Sequence, residues 1–279
     1  KGNRSRRYFK RLRFLIAEET MEFKKEDVFM RLTRQLTMKR LYIIAIILFT
    51  NSLYAAISRY PYLQPTEDLE TSIGIAWETD NQQGGKVCFG IEGVKENEVE
   101  GKYQGTSRRN KNKYYALLTG LSAGKEYKYQ VISDETTTPV YTFTTSSSAL
   151  DFSFKILIIS DQHFGEDIFK AKKYHQPYID KIKSSFKPNL VLQIGDFAYG
   201  GKPKGCAQAE EYETGFTLFR DIFANAILCP VAGNHDITIP HNYDYRIFAE
   251  EFYLPQNGPE SVNPANDYLK ELNYSFNYG

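Results

Sequence analysis

Three short apolar runs, each breaking off in residues of the kind that bind metals, constrain the fold of this 279-residue chain more than anything else in it. Phe154-Lys155-Ile156-Leu157-Ile158-Ile159 stops at Ser160-Asp161-Gln162-His163. Leu190-Val191-Leu192-Gln193-Ile194 stops at Gly195-Asp196-Phe197-Ala198-Tyr199, and the run from Ala226 to Val231 stops at Gly233-Asn234-His235-Asp236. Between them lie stretches of helical length, roughly Asp167 to Phe186 and Gln208 to Ala224. Strands that alternate with helices predict a parallel sheet buried on both faces, and in such sheets functional groups gather beyond the carboxyl ends of the strands. That topology brings the three clusters together.

Two aspartates, a histidine, a tyrosine and an asparagine placed side by side cost several kcal/mol in desolvation and repulsion unless a cation neutralises them. Hard divalent or trivalent ions do so. Asp196, on the middle strand, is placed to bridge two ions about 3.5–4 Å apart, the spacing of two-metal phosphoryl-transfer sites, where a metal-activated water is the nucleophile. A single aspartate at a strand end is ordinarily a solvated turn or a helix cap; the ordered set carries the argument.

In this order and at this spacing, Asp-x-His, Gly-Asp-x-x-Tyr and Gly-Asn-His-Asp resemble the first three blocks of the calcineurin-like metallophosphoesterase superfamily. The resemblance implies that Asp161 binds a first metal, that Asp196 bridges, and that Asn234 binds a second, the pair being iron with zinc, manganese or iron. His235 then contacts the phosphate and protonates the leaving oxygen, with Asp236 orienting or charging its imidazole. Tyr199 stands where purple acid phosphatases carry the tyrosinate that binds ferric iron. Those enzymes have glycine where His163 stands, whereas the wider superfamily uses a histidine there as a ligand. Either His163 and Tyr199 share the first metal or one of them lies outside its shell. His241, just after Pro240, is either a substrate-pocket residue or an ordinary loop histidine, and His175, amid Lys172, Lys173 and Tyr174, reads as a solvated surface residue.

Ahead of these motifs, from Arg59 to Thr145, short alternating strands separated by polar turns have the pattern of a β-sandwich. Ser72 to Thr79 alternates so that Ile73, Ile75 and Trp77 share a face, the core. Leu121 to Val131 places Tyr127, Tyr129 and Val131 on one side of a strand entered through a tight turn, which resembles the corner of a fibronectin type III domain. Tyr60-Pro61-Tyr62-Leu63-Gln64 is similar to the opening of the N-terminal domain of purple acid phosphatases. The expected architecture is an all-β sandwich domain over residues 57–148, then an α/β metallophosphoesterase domain over 149–279 built on a mostly parallel sheet with helices. Scaffold is the expected role of the sandwich.

Met38-Lys39-Arg40, the apolar run Leu41 to Phe49 and the small, polar stretch ending at Ala55-Ala56 form a signal peptide over 38–56. About nine residues of helix rise about 14 Å, half of what the hydrocarbon of a bilayer requires, so membrane contact is expected only during export. Residues 1–37 form an upstream basic segment. The first 40 residues hold 13 of the 35 basic residues and 5 of the 34 acidic ones, which leaves the rest of the chain acidic and excludes nucleic acid as a partner. Cys88, Cys206 and Cys229 allow one disulfide at most.

The superfamily's later blocks, a lone histidine and Gly-His-x-His, do not occur in the sequence, and Asn273 to Gly279 resembles the strand that opens the second half of the catalytic domain. The chain thus reads as the first half of a secreted or periplasmic metal-dependent phosphoric ester hydrolase, inactive by itself. A phosphomonoesterase of the acid phosphatase type is expected. The alternatives are a phosphodiesterase and a non-catalytic binding or adhesion module with a degenerate catalytic half.

Overall fold

The computed structural model describes residues 57–133, 136–165, 167–200, 207–237, 245–259 and 269–279. The signal peptide, the upstream segment, Cys206 and His241 lie outside them. Nine strands come first: β1 (Ile57–Gln64), β2 (Ile73–Thr79), β3 (Lys86–Gly90), β4 (Asn97–Glu100), β5 (Lys102–Thr106), β6 (Asn112–Leu118), β7 (Glu126–Ser133), β8 (Thr136–Thr137) and β9 (Tyr141–Thr144). Strands and helices then alternate: β10 (Ile156–Ile159), α1 (Ile168–Ser185), β11 (Leu190–Ile194), α2 (Ala209–Phe223) and β12 (Ile227–Val231), followed by α3 (Arg246–Glu251) and α4 (Leu269–Leu272).

Local chemistry sets the helix ends. Asp167 caps α1, its side chain accepting from the amides of Phe169 and Lys170. The helix is over by Lys187, which takes a left-handed φ of 46°. A capping box between Gln208 and Glu211 starts α2. With helices between them, β10, β11 and β12 pair in parallel, Ile156 opposite Leu190 and Leu190 opposite Ile227.

The sheet does not end at β12. Strand β1 lies parallel beside it, Leu63 opposite Ile227, and the order continues through β2, β6 and β5 to make one seven-stranded mixed sheet. A second sheet, β4-β3-β7-β8 with β9 also on β7, completes the sandwich. Ile73, Ile75 and Trp77 enter the core between the sheets together, where Trp77 is 1% exposed. Tyr127, Tyr129 and Val131 meet them from β7, and the Tyr127 hydroxyl accepts from the Ser122 amide at 2.9 Å, pinning the turn before the strand.

The other face of β2 is buried as well. Tyr62 and Ala76 belong to a second core with Phe197, Tyr212, Phe216 and Phe252, because α2 packs across the back of the sheet. Gly74 has no room for a side chain: a Cβ there would stand 2.4 Å from the Tyr115 hydroxyl. Strand β10, by contrast, is less covered than an apolar run suggests. It is the sheet's edge, with Ile156 and Ile158 40% and 61% exposed, while Leu157 and Ile159 on its other face pack against the helix-side core. Among the described residues no helix is long and apolar enough to cross a membrane.

Candidate metal centre

The ends of β10, β11 and β12 open into three loops that the backbone ties together. The Asp161 amide donates to Gly195 O and the His163 amide to Asp196 O, both at 3.1 Å. One step further, Phe164 and Ala198 form a parallel bridge, so the first two loops extend the sheet pairing. Asp161, His163 and Asp196 have φ of 57°, 47° and 54°. Left-handed backbone costs a non-glycine residue about 1–2 kcal/mol, and it clusters where function over-determines geometry. The third loop approaches the second so closely that a Cβ on Gly233 would stand 2.2 Å from Asp196 Oδ1. Only glycine lets that carboxylate through.

Asp196 is the hub of the arrangement. Its Oδ1 accepts from the His235 amide at 2.8 Å, and its Oδ2 lies 3.4 Å from His163 Nε2. His163 and His235 stand ring to ring, 4.4 Å between centroids. One ligand atom from each of His163, Asp196 and His235 falls within 4.8 Å of the others. His163 Nε2 is buried and has no hydrogen-bond partner. A buried nitrogen without a donor or acceptor, facing a carboxylate, is the arrangement a cation completes, and imidazole with carboxylate suits zinc, iron or manganese. The residues present therefore fit a metal.

The remaining expected ligands lie on the same three loops. Asp161 is exposed on the first loop, where it accepts from the Ser160 hydroxyl, and its carboxylate lies outside the three-residue group. Asn234 is exposed on the third loop. Tyr199 is 47% exposed, its ring 6.2 Å from that of His163 and 6.4 Å from that of His235. His235 Nδ1 lies 2.5 Å from Tyr199 O. A carbonyl can only accept, so Nδ1 carries the proton and Nε2 is left as the nitrogen that binds or delivers.

Asp236 does not reach the imidazole as expected. It is 1% exposed, and its hydrogen bonds go to the amides of Phe197, Ala198 and Gly233 and to the Tyr212 hydroxyl, while Tyr199 O takes the imidazole. Burial raises its carboxyl above the usual range, against the pull of those donors. His175 is also displaced from expectation. Its ring lies 4.8 Å from that of Phe164, its Nδ1 is 2.8 Å from the Tyr178 hydroxyl, and burial lowers its pKa.

Sequence reasoning did not find Tyr212, Glu211 or Gln193. Glu211 accepts from the amides of Gly200 and Gln208, and Gln193 Nε2 donates to Gly195 O and Gln162 Oε1. The signal for Gln193 was present: an amide inside an apolar strand needs partners.

Residues 59–145 match the purple acid phosphatase N-terminal domain, and residues 154–278 match the calcineurin-like phosphoesterase family. No curated protein matches the sequence. Among solved structures, PhoD is similar over 76% of this chain and 44% of its own, at 13% identity and a TM-score of 0.44. Astrotactin-2, a vertebrate membrane protein, is similar over 59% of this chain and 36% of its own, at 10% identity and a TM-score of 0.27.

Proposed function

We propose that this chain, whose residues 154–278 match the calcineurin-like phosphoesterase family and whose residues 59–145 match the purple acid phosphatase N-terminal domain, is a metal-dependent phosphomonoesterase working outside the cytoplasm. The observation that carries the proposal is the buried, unpartnered His163 Nε2 facing Asp196 at the junction of three loops.

His163 and Asp196 would hold the metal, with Asp161, Asn234 and Tyr199 as further ligands from the rims of the same loops. When bound, the metal ions supply Lewis acidity toward a phosphoryl oxygen and bring the pKa of a water toward neutrality. The protein's own part is to fix charge and proton. Asp196 is held between His235 N–H and His163, so its charge is placed before any ligand arrives. His235, with Nδ1 committed to Tyr199 O, presents Nε2 to the leaving oxygen and gives up its proton there.

Hydrolysis of p-nitrophenyl phosphate against bis(p-nitrophenyl) phosphate, with Mn2+, Zn2+ or iron supplied, tests the reading; faster diester cleavage would overturn it. His235→Ala should slow hydrolysis about 10²–10⁴-fold, most for poor leaving groups. Export is checked by N-terminal sequencing of secreted material, expected to begin after Ala55 or Ala56.

A second reading follows from His163. A histidine in the ligand group, where the purple pattern has glycine, favours a phosphodiesterase with a non-ferric pair. A visible absorption band that Tyr199→Phe abolishes supports the first reading; a colourless, active protein supports the second.

A further inference from the structure

The geometry points to Asp236 as a positioning residue whose buried carboxylate, anchored by Tyr212, holds the second and third ligand loops in register and does not serve the imidazole beside it. The inference rests on the metal-centre reading above. An ionised carboxylate has about four acceptor sites, and here four donors fill them. Oδ1 accepts from Ala198 N at 3.0 Å and from Tyr212 Oη at 2.9 Å; Oδ2 accepts from Gly233 N at 2.9 Å and from Phe197 N at 3.2 Å. No acceptor site is left for His235.

The positions of the donors give the arrangement its purpose. Phe197 and Ala198 directly follow Asp196, and Gly233 directly precedes Asn234 and His235. One carboxylate therefore fixes the backbone on both sides of the gap that the His235 amide crosses to reach Asp196 Oδ1. Tyr212, fully buried on α2, ties this carboxylate to the helix. Its neighbours extend the same work: Glu211 accepts from Gly200 N at the end of the second loop, and Glu213 pairs with Arg59 and Arg109 from the sandwich. Three consecutive residues of α2 thus connect the loops, the carboxylate and the sandwich.

Groups that orient metal ligands from behind are typically worth 10–100-fold in metal affinity. Mn2+ binding to the full chain, measured by calorimetry well below the melting temperature of each metal-free variant, is the test. Tyr212→Phe should weaken binding about 10-fold, and Asp236→Asn, which turns an amide donor toward backbone N–H groups, about 100-fold. A lower melting temperature with unchanged Mn2+ affinity in Tyr212→Phe would overturn the proposal, since that is what a purely structural role gives. Mn2+ binding without hydrolysis of either ester refutes the enzymatic reading alone, and the affinity ratios still decide this one.

Discussion

Two clusters of charge, one tied to α2 through Glu213 and the other linked to it through Tyr212 and Asp236, are built on opposite plans. On the sandwich side, Arg59 is enclosed by Glu251 at 2.7 Å, Glu213 at 2.8 Å and Glu78 at 3.3 Å, and Arg109 reaches Glu78 and Glu213 in turn. Burial opposes its charge, yet the three carboxylates hold the Arg59 guanidinium above its ordinary pKa. On the loop side, two imidazoles and a backbone amide stand around Asp196, and among the described residues no guanidinium or ammonium pairs with it. The first cluster sets two guanidiniums against three carboxylates and ties elements together. The second, among the described residues, sets only imidazoles beside its carboxylate. What separates a structural ion network from a binding site is therefore whether the protein brings permanent cations of its own to its carboxylates.

Arg59→Ala is the strongest way to break this contrast. It strands buried carboxylates, and breaking a buried pair from one side typically costs about 3–5 kcal/mol, so thermal unfolding should fall sharply with or without metal. Asp196→Asn should do the reverse. Its metal-free stability should change by less than about 1 kcal/mol, because an amide oxygen still accepts from His235 N–H. It should lose the stabilisation of about 2.7 kcal/mol that a ligand at 100 times its Kd confers on the wild type. A metal-free Asp196→Asn chain as damaged as Arg59→Ala would erase the distinction.

The smallest expected effect concerns His175. Burial depresses its pKa, so the unfolded chain binds its proton first, and its contribution to stability is present above the ordinary histidine pKa and lost as pH falls through it. Melting temperatures of His175→Gln should accordingly decline less on acidification through that range than those of the wild type. Parallel declines would place the histidine in solvent.

How far the sequence carried the reading follows from how local each feature is. The strand ends and their loops were legible because an apolar run broken by Gly-Asp or Gly-Asn-His is a local signal, and α1 and α2 were legible to within a residue or two from the stretches of helical length between those runs. The partners of Asp236 were not. Tyr212 looks like any aromatic on an amphipathic helix until the packing of α2 aims its hydroxyl at a particular carboxylate. Nothing local marks Arg59 as buried; the placement of α2 and α3 encloses it. The exposure of β10 was hidden for the same reason, since an apolar run does not say whether a strand is central or at the edge.

The seating of β1 against β12 also bears on how the chain is made. Gln64 Nε2 donates to Leu228 O across 164 residues of sequence. At typical synthesis rates β1 leaves the ribosome roughly ten to thirty seconds before its neighbour exists. Through that interval one edge of the sandwich sheet is an unpaired strand, and Tyr62 and Ala76 have no helix to cover them. The sandwich edge is therefore covered only when β12 and the loop that follows it are made, so the order of translation leaves an aggregation-prone edge open until the metal centre itself takes shape.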